Sequence, residues 1–178
     1  MSRRRSPRDP YTLDPKDPVE MIAKVLVGGS YRVPVEGRGS AQRLGASDIA
    51  AAVGFMHSPL DQQTVLAVAT RAGSREIAKL SLLAYRAVVV SVRALRPPPI
   101  DLGQPADRFR LRIAVYDAAA ELVWPEHRRP MKDLAKAAKM RLQSYAALHR
   151  CATATLQQAL NEGRLDFAQR LWAHQVEP

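Results

Sequence analysis

The chain has 178 residues, with 27 Lys and Arg against 17 Asp and Glu and a formal net charge of +10. Only 6% of the residues are aromatic within an apolar fraction of 47%, and this palette favours packed helices over a β-sandwich. The charge indicates a polyanionic partner, usually nucleic acid, although a GC-rich genome can also raise the arginine content.

A single cysteine, Cys151, excludes an internal disulfide and argues against a structural zinc site. No apolar segment of the kind found in a secretory signal follows the N-terminal arginines. The most apolar run, 80–95, is too short to span a bilayer and is interrupted by Arg86 and Arg93. We therefore expect a cytoplasmic protein that does not enter a membrane.

Residues 1–17 hold four Arg and three Pro with little apolar content, so we expect a disordered basic arm. Arg3, Arg4 and Arg5 could follow a nucleic-acid backbone or reach into a minor groove, and the alternative is a solvated tail. A helix is predicted from Pro18 to Val27, where Gly28 and Gly29 end it. Residues 28–45 read as irregular.

Three more helices are predicted in the first half, and together they define an N-terminal helical domain over 18–95. They run from Asp48 to about Gly54, from Leu60 to about Arg71, and from Arg75 to about Leu95. Apolar residues, Leu83 and Val90 among them, cover more than half of the circumference of the helix predicted over 75–95. That distribution predicts a central, largely buried helix.

The proline run at 97–99 ends this helix, and 96–105 is predicted to be a Pro-rich linker between two domains. The C-terminal helical domain, 106–178, is predicted to hold a helix over 106–123 and a short helix over 130–140. A longer helix follows from Leu142 to Gly163, and a last one runs over 165–174. The fold class is an all-α helical bundle.

Residues 131–160 form a candidate helix-turn-helix, in which a short helix, a tight turn and a longer helix follow one another. The predicted buried positions are Met131, Leu134, Ala135, Ala138, Tyr145, Leu148, Ala152, Leu156 and Ala159. The opposite face of the second helix presents side chains that can reach base edges, namely Gln143, Ser144 and Arg150. Candidate phosphate contacts are Lys132, Lys136, Lys139 and Arg141.

The segment resembles the helix-turn-helix of phage transcription regulators of the late-gene antiterminator type, and the promoter-reading helix-turn-helix of sigma factors. The resemblance lies in Asp133-Leu134-Ala135, Lys139-Met140, Tyr145 and Leu148. These proteins usually have glycine where Lys139 stands. Lysine would be strained in a left-handed turn, so we expect a longer or different turn here. The alternative is a helical hairpin with a basic solvent face.

A second hairpin, 47–70, has the small-residue spacing of the same motif at Ala50 and Gly54. Its turn, 55–58, is too long for the standard unit. The start of its second helix offers Asp61, Gln62 and Gln63 with no Lys or Arg, so it would face phosphates unfavourably. We interpret this hairpin as structural.

No sequence feature supports an enzyme, a cofactor or a metal site, because the four histidines and Cys151 lack metal-ligand spacing. Asp117 and Glu121 are four residues apart, and on a basic protein we expect such a pair to be solvated or bound to arginine.

Three functions stay open. The first is a DNA-binding transcription regulator, phage or mobile-element encoded, that places the helix after Leu142 in the major groove. It would contact RNA polymerase or a second copy of itself. The second is a small terminase-like packaging or architectural DNA-binding protein. The third is a non-catalytic interaction module. Double-stranded DNA is the expected ligand of the first two, and structured RNA stays open.

Overall fold

The computed structural model describes residues 18–28 and 46–176, and all regular structure in these ranges is helical. The helices are α1 Pro18–Gly28, α2 Ala46–Gly54, α3 Pro59–Ala69, α4 Ser74–Ala94, α5 Pro105–Val123, α6 Met131–Ala137 and α7 Leu142–Val176, with a short 3₁₀ turn at Pro125–His127. The predicted all-α helical bundle is confirmed. The predicted arm, with Arg3, Arg4 and Arg5, lies outside the described residues, as does 29–45.

The longest element is α7, which continues for 35 residues through Gly163, where the sequence predicted a stop. A Cβ placed on Gly163 would lie 2.6 Å from Val65 Cγ2 and 2.9 Å from the Asp61 carbonyl oxygen. Both of these residues belong to α3. The glycine therefore does not end a helix but lets α3 and α7 approach each other closely, which corrects the prediction of two separate helices.

Two hydrophobic clusters form the core, and α7 contributes to both. The first joins α4, α5, α6 and the N-terminal half of α7, and the second joins α1, α2, α3 and the C-terminal half of α7. Val88 of α4 belongs to the same cluster as Leu111 of α5 and Leu148 of α7. Residues 96–105 therefore connect two helices of one shared cluster, so the core does not follow the predicted division between 18–95 and 106–178.

The fourth helix is amphipathic and not buried on most sides, which corrects the sequence interpretation. Its buried positions are Ile77, Leu80, Ala84, Val88 and Val92. By contrast, Leu82, Leu83 and Val90 are 66%, 44% and 68% exposed. Apolar residues alone could not show which side of α4 packs, because they occur on both.

Candidate nucleic-acid interface

The helix-turn-helix segment begins with α6, which ends in a compact left-handed turn. Lys139 has a φ of 52°. Its amide donates to the Lys136 carbonyl at 3.0 Å, and the Met140 amide donates to the Ala135 carbonyl at 2.9 Å. These two bonds form a Schellman motif, which satisfies the last carbonyls of a helix. The expectation of a longer or different turn was wrong, because lysine itself occupies the left-handed position.

Four residues, 138–141, separate the two helices, which is the length expected of a helix-turn-helix turn. The Arg141 carbonyl accepts from the Tyr145 amide at 3.0 Å and opens α7. The predicted apolar face is confirmed, with Met131 partly buried and these residues buried: Leu134, Ala135, Ala138, Tyr145, Leu148, Ala152, Leu156 and Ala159. Burial of this set fixes which side of α7 faces solvent.

The predicted DNA-contacting side chains of 131–160 lie on that solvent side. The exposed ones are Lys132, Lys136, Lys139, Arg141, Gln143 and Arg150, and Ser144 is half-buried. Among the described residues, none of these five cations has a carboxylate within ion-pair distance. The carboxylate nearest in sequence, Asp133, is exposed and stands three residues before Lys136, but the two form no ion pair in the described structure. The face therefore keeps its positive charge available for an anionic partner.

A partly buried hydrogen bond holds the start of α7 against α5. The Tyr145 hydroxyl donates to Asp117 Oδ2 at 2.6 Å, and Arg129 Nη2 donates to Asp117 Oδ1 at 2.9 Å. Burial and the neighbouring Asp117 carboxylate raise the pKa of Tyr145, so its hydroxyl stays a donor at neutral pH. Because Tyr145 is fully buried, this bond also fixes the rotation of α7 about its axis.

A second polar contact lies one helical turn further along α7. Arg128 Nε lies 2.9 Å from Glu121 Oε1, and His149 Nε2 lies 3.4 Å from Glu121 Oε2. His149 is 4% exposed, and burial lowers its pKa despite the two nearby carboxylates, Glu121 and Asp117. The histidine is therefore neutral in the folded protein at neutral pH.

The segment before α6 is fastened to the turn between α3 and α4. Trp124 Nε1 donates to the Ala72 carbonyl at 3.0 Å, and the Arg71 guanidinium lies 5.2 Å from the centre of the indole ring. Arg71 also forms an ion pair with Glu126. These contacts set the position at which the chain enters α6.

Asp117 and Glu121 are thus paired with arginines, as the sequence predicted. The sequence interpretation missed which arginines take part and did not include Tyr145 and His149 in the cluster. The available signal was the Arg128-Arg129 pair, a few residues beyond the carboxylates. A cavity of about 370 Å³ borders the cluster, and its Asp117, Glu121, Arg128 and Arg129 side chains bind one another.

Comparison with protein-family models, with curated proteins and with solved structures found no match.

The competing hairpin of α2 and α3 has a different surface. Gln62 Nε2 donates to the Val53 carbonyl at 2.9 Å, Thr64 is buried, and Asp61 is half-buried. No Lys or Arg occurs between residues 46 and 70. Polar side chains at the start of α3 are thus used inside the fold, which fits the structural role predicted for this hairpin.

None of the helices in the described residues is long and apolar enough to cross a membrane. No group of three or more His, Cys, Asp or Glu side chains in these ranges could hold a metal ion.

Proposed function

We propose that this protein binds double-stranded DNA through the helix-turn-helix of residues 131–160 and acts as a transcription regulator. One observation carries the proposal. The left-handed turn at Lys139 joins two helices whose apolar faces are buried and whose solvent side holds five exposed cations that have no carboxylate partner among the described residues. In this arrangement α7 enters the major groove with its N-terminal half, as second helices of such units do.

The side chains divide by role. Gln143 and Arg150 project from α7 and can bond to base edges, whereas Lys132, Lys136 and Lys139 come from α6 and the turn and contact phosphates. A phage or mobile-element origin, action as an antiterminator, and contact with RNA polymerase or a second copy are finer proposals. They rest on the resemblance of this segment to late-gene antiterminators.

The test compares Arg150→Ala with Lys139→Ala on a panel of duplexes. If Arg150 forms a bidentate hydrogen bond with guanine, its loss weakens the binding free energy by about 1–3 kcal/mol and relaxes the sequence preference at one base pair. Loss of Lys139 weakens binding to all sequences alike and reduces the slope of log affinity against log salt concentration by about one unit in magnitude. Binding is measured by fluorescence anisotropy at several salt concentrations. Two variants that behave alike across the panel would show that α7 reads no bases.

A further inference from the structure

The exposed side of α4 carries a second row of cations, which the sequence interpretation did not identify. Arg75, Lys79, Arg86 and Arg93 are all exposed. At 100° per residue they fall within about 40° of one another around the helix, and they span about 27 Å along it. The only carboxylate of α4, Glu76, is half-buried, and although it stands three residues before Lys79 and about 60° from it around the helix, the two form no ion pair in the described structure.

This row keeps its charge in the same way as the helix-turn-helix does. In the described part of the chain, none of the four side chains has a carboxylate within ion-pair distance. Other arginines do have such partners, since Arg110 pairs with Asp107, and Arg128 and Arg129 pair with α5. Carboxylates of α5 thus pair with arginines outside the two surfaces, and the ion pairs of the described residues leave both surfaces positive.

The two surfaces belong to helices that pack against each other through their buried sides. The helices α4 and α7 pack directly together, and Ala84 and Val88 share a cluster with Leu148 and Ala152. On each helix the cations lie on the side opposite to these buried residues. A duplex bound along α6 and the start of α7 therefore leaves the row on α4 open to solvent.

Phosphates are the partner that this row fits. A second copy packed on it through the same face would bring four cations against four cations. An interfacial membrane helix has a continuous apolar face, with its cations on the polar side. Here Leu82 and Val90 lie within about 20° of the nearest cations around α4, so the exposed side is a mixture of cations and single apolar side chains and not a continuous apolar face. The length of the row matches about eight base-pair steps of a duplex.

We propose that α4 is a second DNA-binding surface and that one molecule bridges two duplex segments. The inference rests on the proposed function for the first duplex, which the helix-turn-helix holds. A bridging molecule organises DNA as well as reading it, so a regulator of this kind would also hold two DNA segments together.

The experiment uses two full-length variants that each remove four positive charges. One carries Arg75→Gln, Lys79→Gln, Arg86→Gln and Arg93→Gln, and its matched control carries Lys132→Gln, Lys136→Gln, Lys139→Gln and Arg141→Gln. Thermal unfolding confirms that both fold. Bead-bound duplex is saturated with protein and washed, and capture of a second, fluorescent duplex is measured.

The wild-type protein should capture the second duplex. The α4 variant should bind the bead-bound duplex within about threefold of wild type but capture about tenfold less of the second one. The control variant should bind DNA through α4 without sequence preference. An α4 variant that bridges as well as wild type would overturn the inference, because bridging would then come from a dimer of helix-turn-helix units.

The two proposals fail in different ways. Wild-type protein that binds no duplex refutes the proposed function, whereas binding of one duplex through the helix-turn-helix without a second refutes only the inference. Vesicles containing phosphatidylserine are tested in parallel. If the α4 substitutions abolish vesicle binding and leave bridging unchanged, the partner of α4 is a membrane surface and the inference is overturned.

Discussion

Lys139 adopts a backbone conformation that costs a residue with a Cβ more than it costs glycine. The Schellman bonds of the turn hold it there, because the amides of Lys139 and Met140 satisfy carbonyls at the end of α6. The lysine side chain is exposed at this point, so the residue has two separable properties: its turn conformation and its charge.

Lys139→Gly should therefore raise the free energy of unfolding by up to about 1 kcal/mol, since relief of the left-handed strain exceeds the added entropy of the unfolded chain. Urea denaturation measures the change. The matched control, Lys136→Gly, places glycine inside α6 and should lower stability by about 1 kcal/mol. Destabilisation by both variants to the same extent would contradict the strain argument.

Gly163 presents the opposite situation, because here a side chain is excluded by contact and not by backbone conformation. The close approach of Val65 and of the Asp61 carbonyl leaves no room for a methyl group. Gly163→Ala should lower the free energy of unfolding by about 1–3 kcal/mol, measured by urea denaturation. Gly54 has open space around it, so Gly54→Ala should be neutral or slightly stabilising. Equal effects would show that α3 and α7 do not touch at Gly163.

At the scale of elements, the attachment of α7 to α5 depends on polar groups that titrate. His149 on α7 faces Glu121 and Asp117 on α5, with Arg128 from the preceding connection and Tyr145 on its own helix. Burial keeps the imidazole neutral. Protonation would place a positive charge in this cluster, whose carboxylates already bind arginines.

Stability should therefore fall as the pH drops below the ordinary histidine pKa of 6.5. Burial lowers the pKa of His149 in the folded protein, so the unfolded chain takes up its proton first as the pH falls. The stabilising contribution is complete above 6.5 and is lost as the pH falls towards the folded pKa.

Urea denaturation at about pH 7.5 and about pH 5.5 measures this loss, and His149→Phe should reduce it. The control is His127→Gln, which changes an exposed histidine and should keep the wild-type pH dependence. If His149→Phe and wild-type protein lose the same stability over this range, His149 does not control it.

At the scale of the whole molecule, the net charge of +10 combines with two unpaired cationic surfaces. DNA affinity should fall steeply with salt, with a log–log slope near −0.9 for each neutralised phosphate. Neutralising Lys132, Lys136, Lys139 and Arg141 together should lower that slope by up to about 3.6. Anisotropy titrations between low and physiological salt measure it. An affinity that does not change with salt would rule out nucleic acid as the partner.

The sequence by itself determined the all-α fold, the burial of Tyr145 and Leu148, and the exposure of the predicted cations of 131–160. These follow from helical periodicity, because one repeat of apolar residues defines one buried face. The sequence also predicted that Asp117 and Glu121 are solvated or paired with arginine, and the structure shows the pairing.

Only the tertiary structure decided the rest. From the sequence, Gly163 is expected to end a helix, because glycine has a low helix propensity. Its actual role, the close contact with α3, depends on a segment distant in sequence and cannot be predicted from helix propensity. Apolar residues occur on both the buried and the exposed side of α4, so its own sequence does not define which side packs. Only the packing of α5 and α7 against it decides this, and that packing leaves Arg75, Lys79, Arg86 and Arg93 exposed. The shared core across 96–105 likewise depends on contacts between distant segments, which a proline run in the sequence cannot reveal.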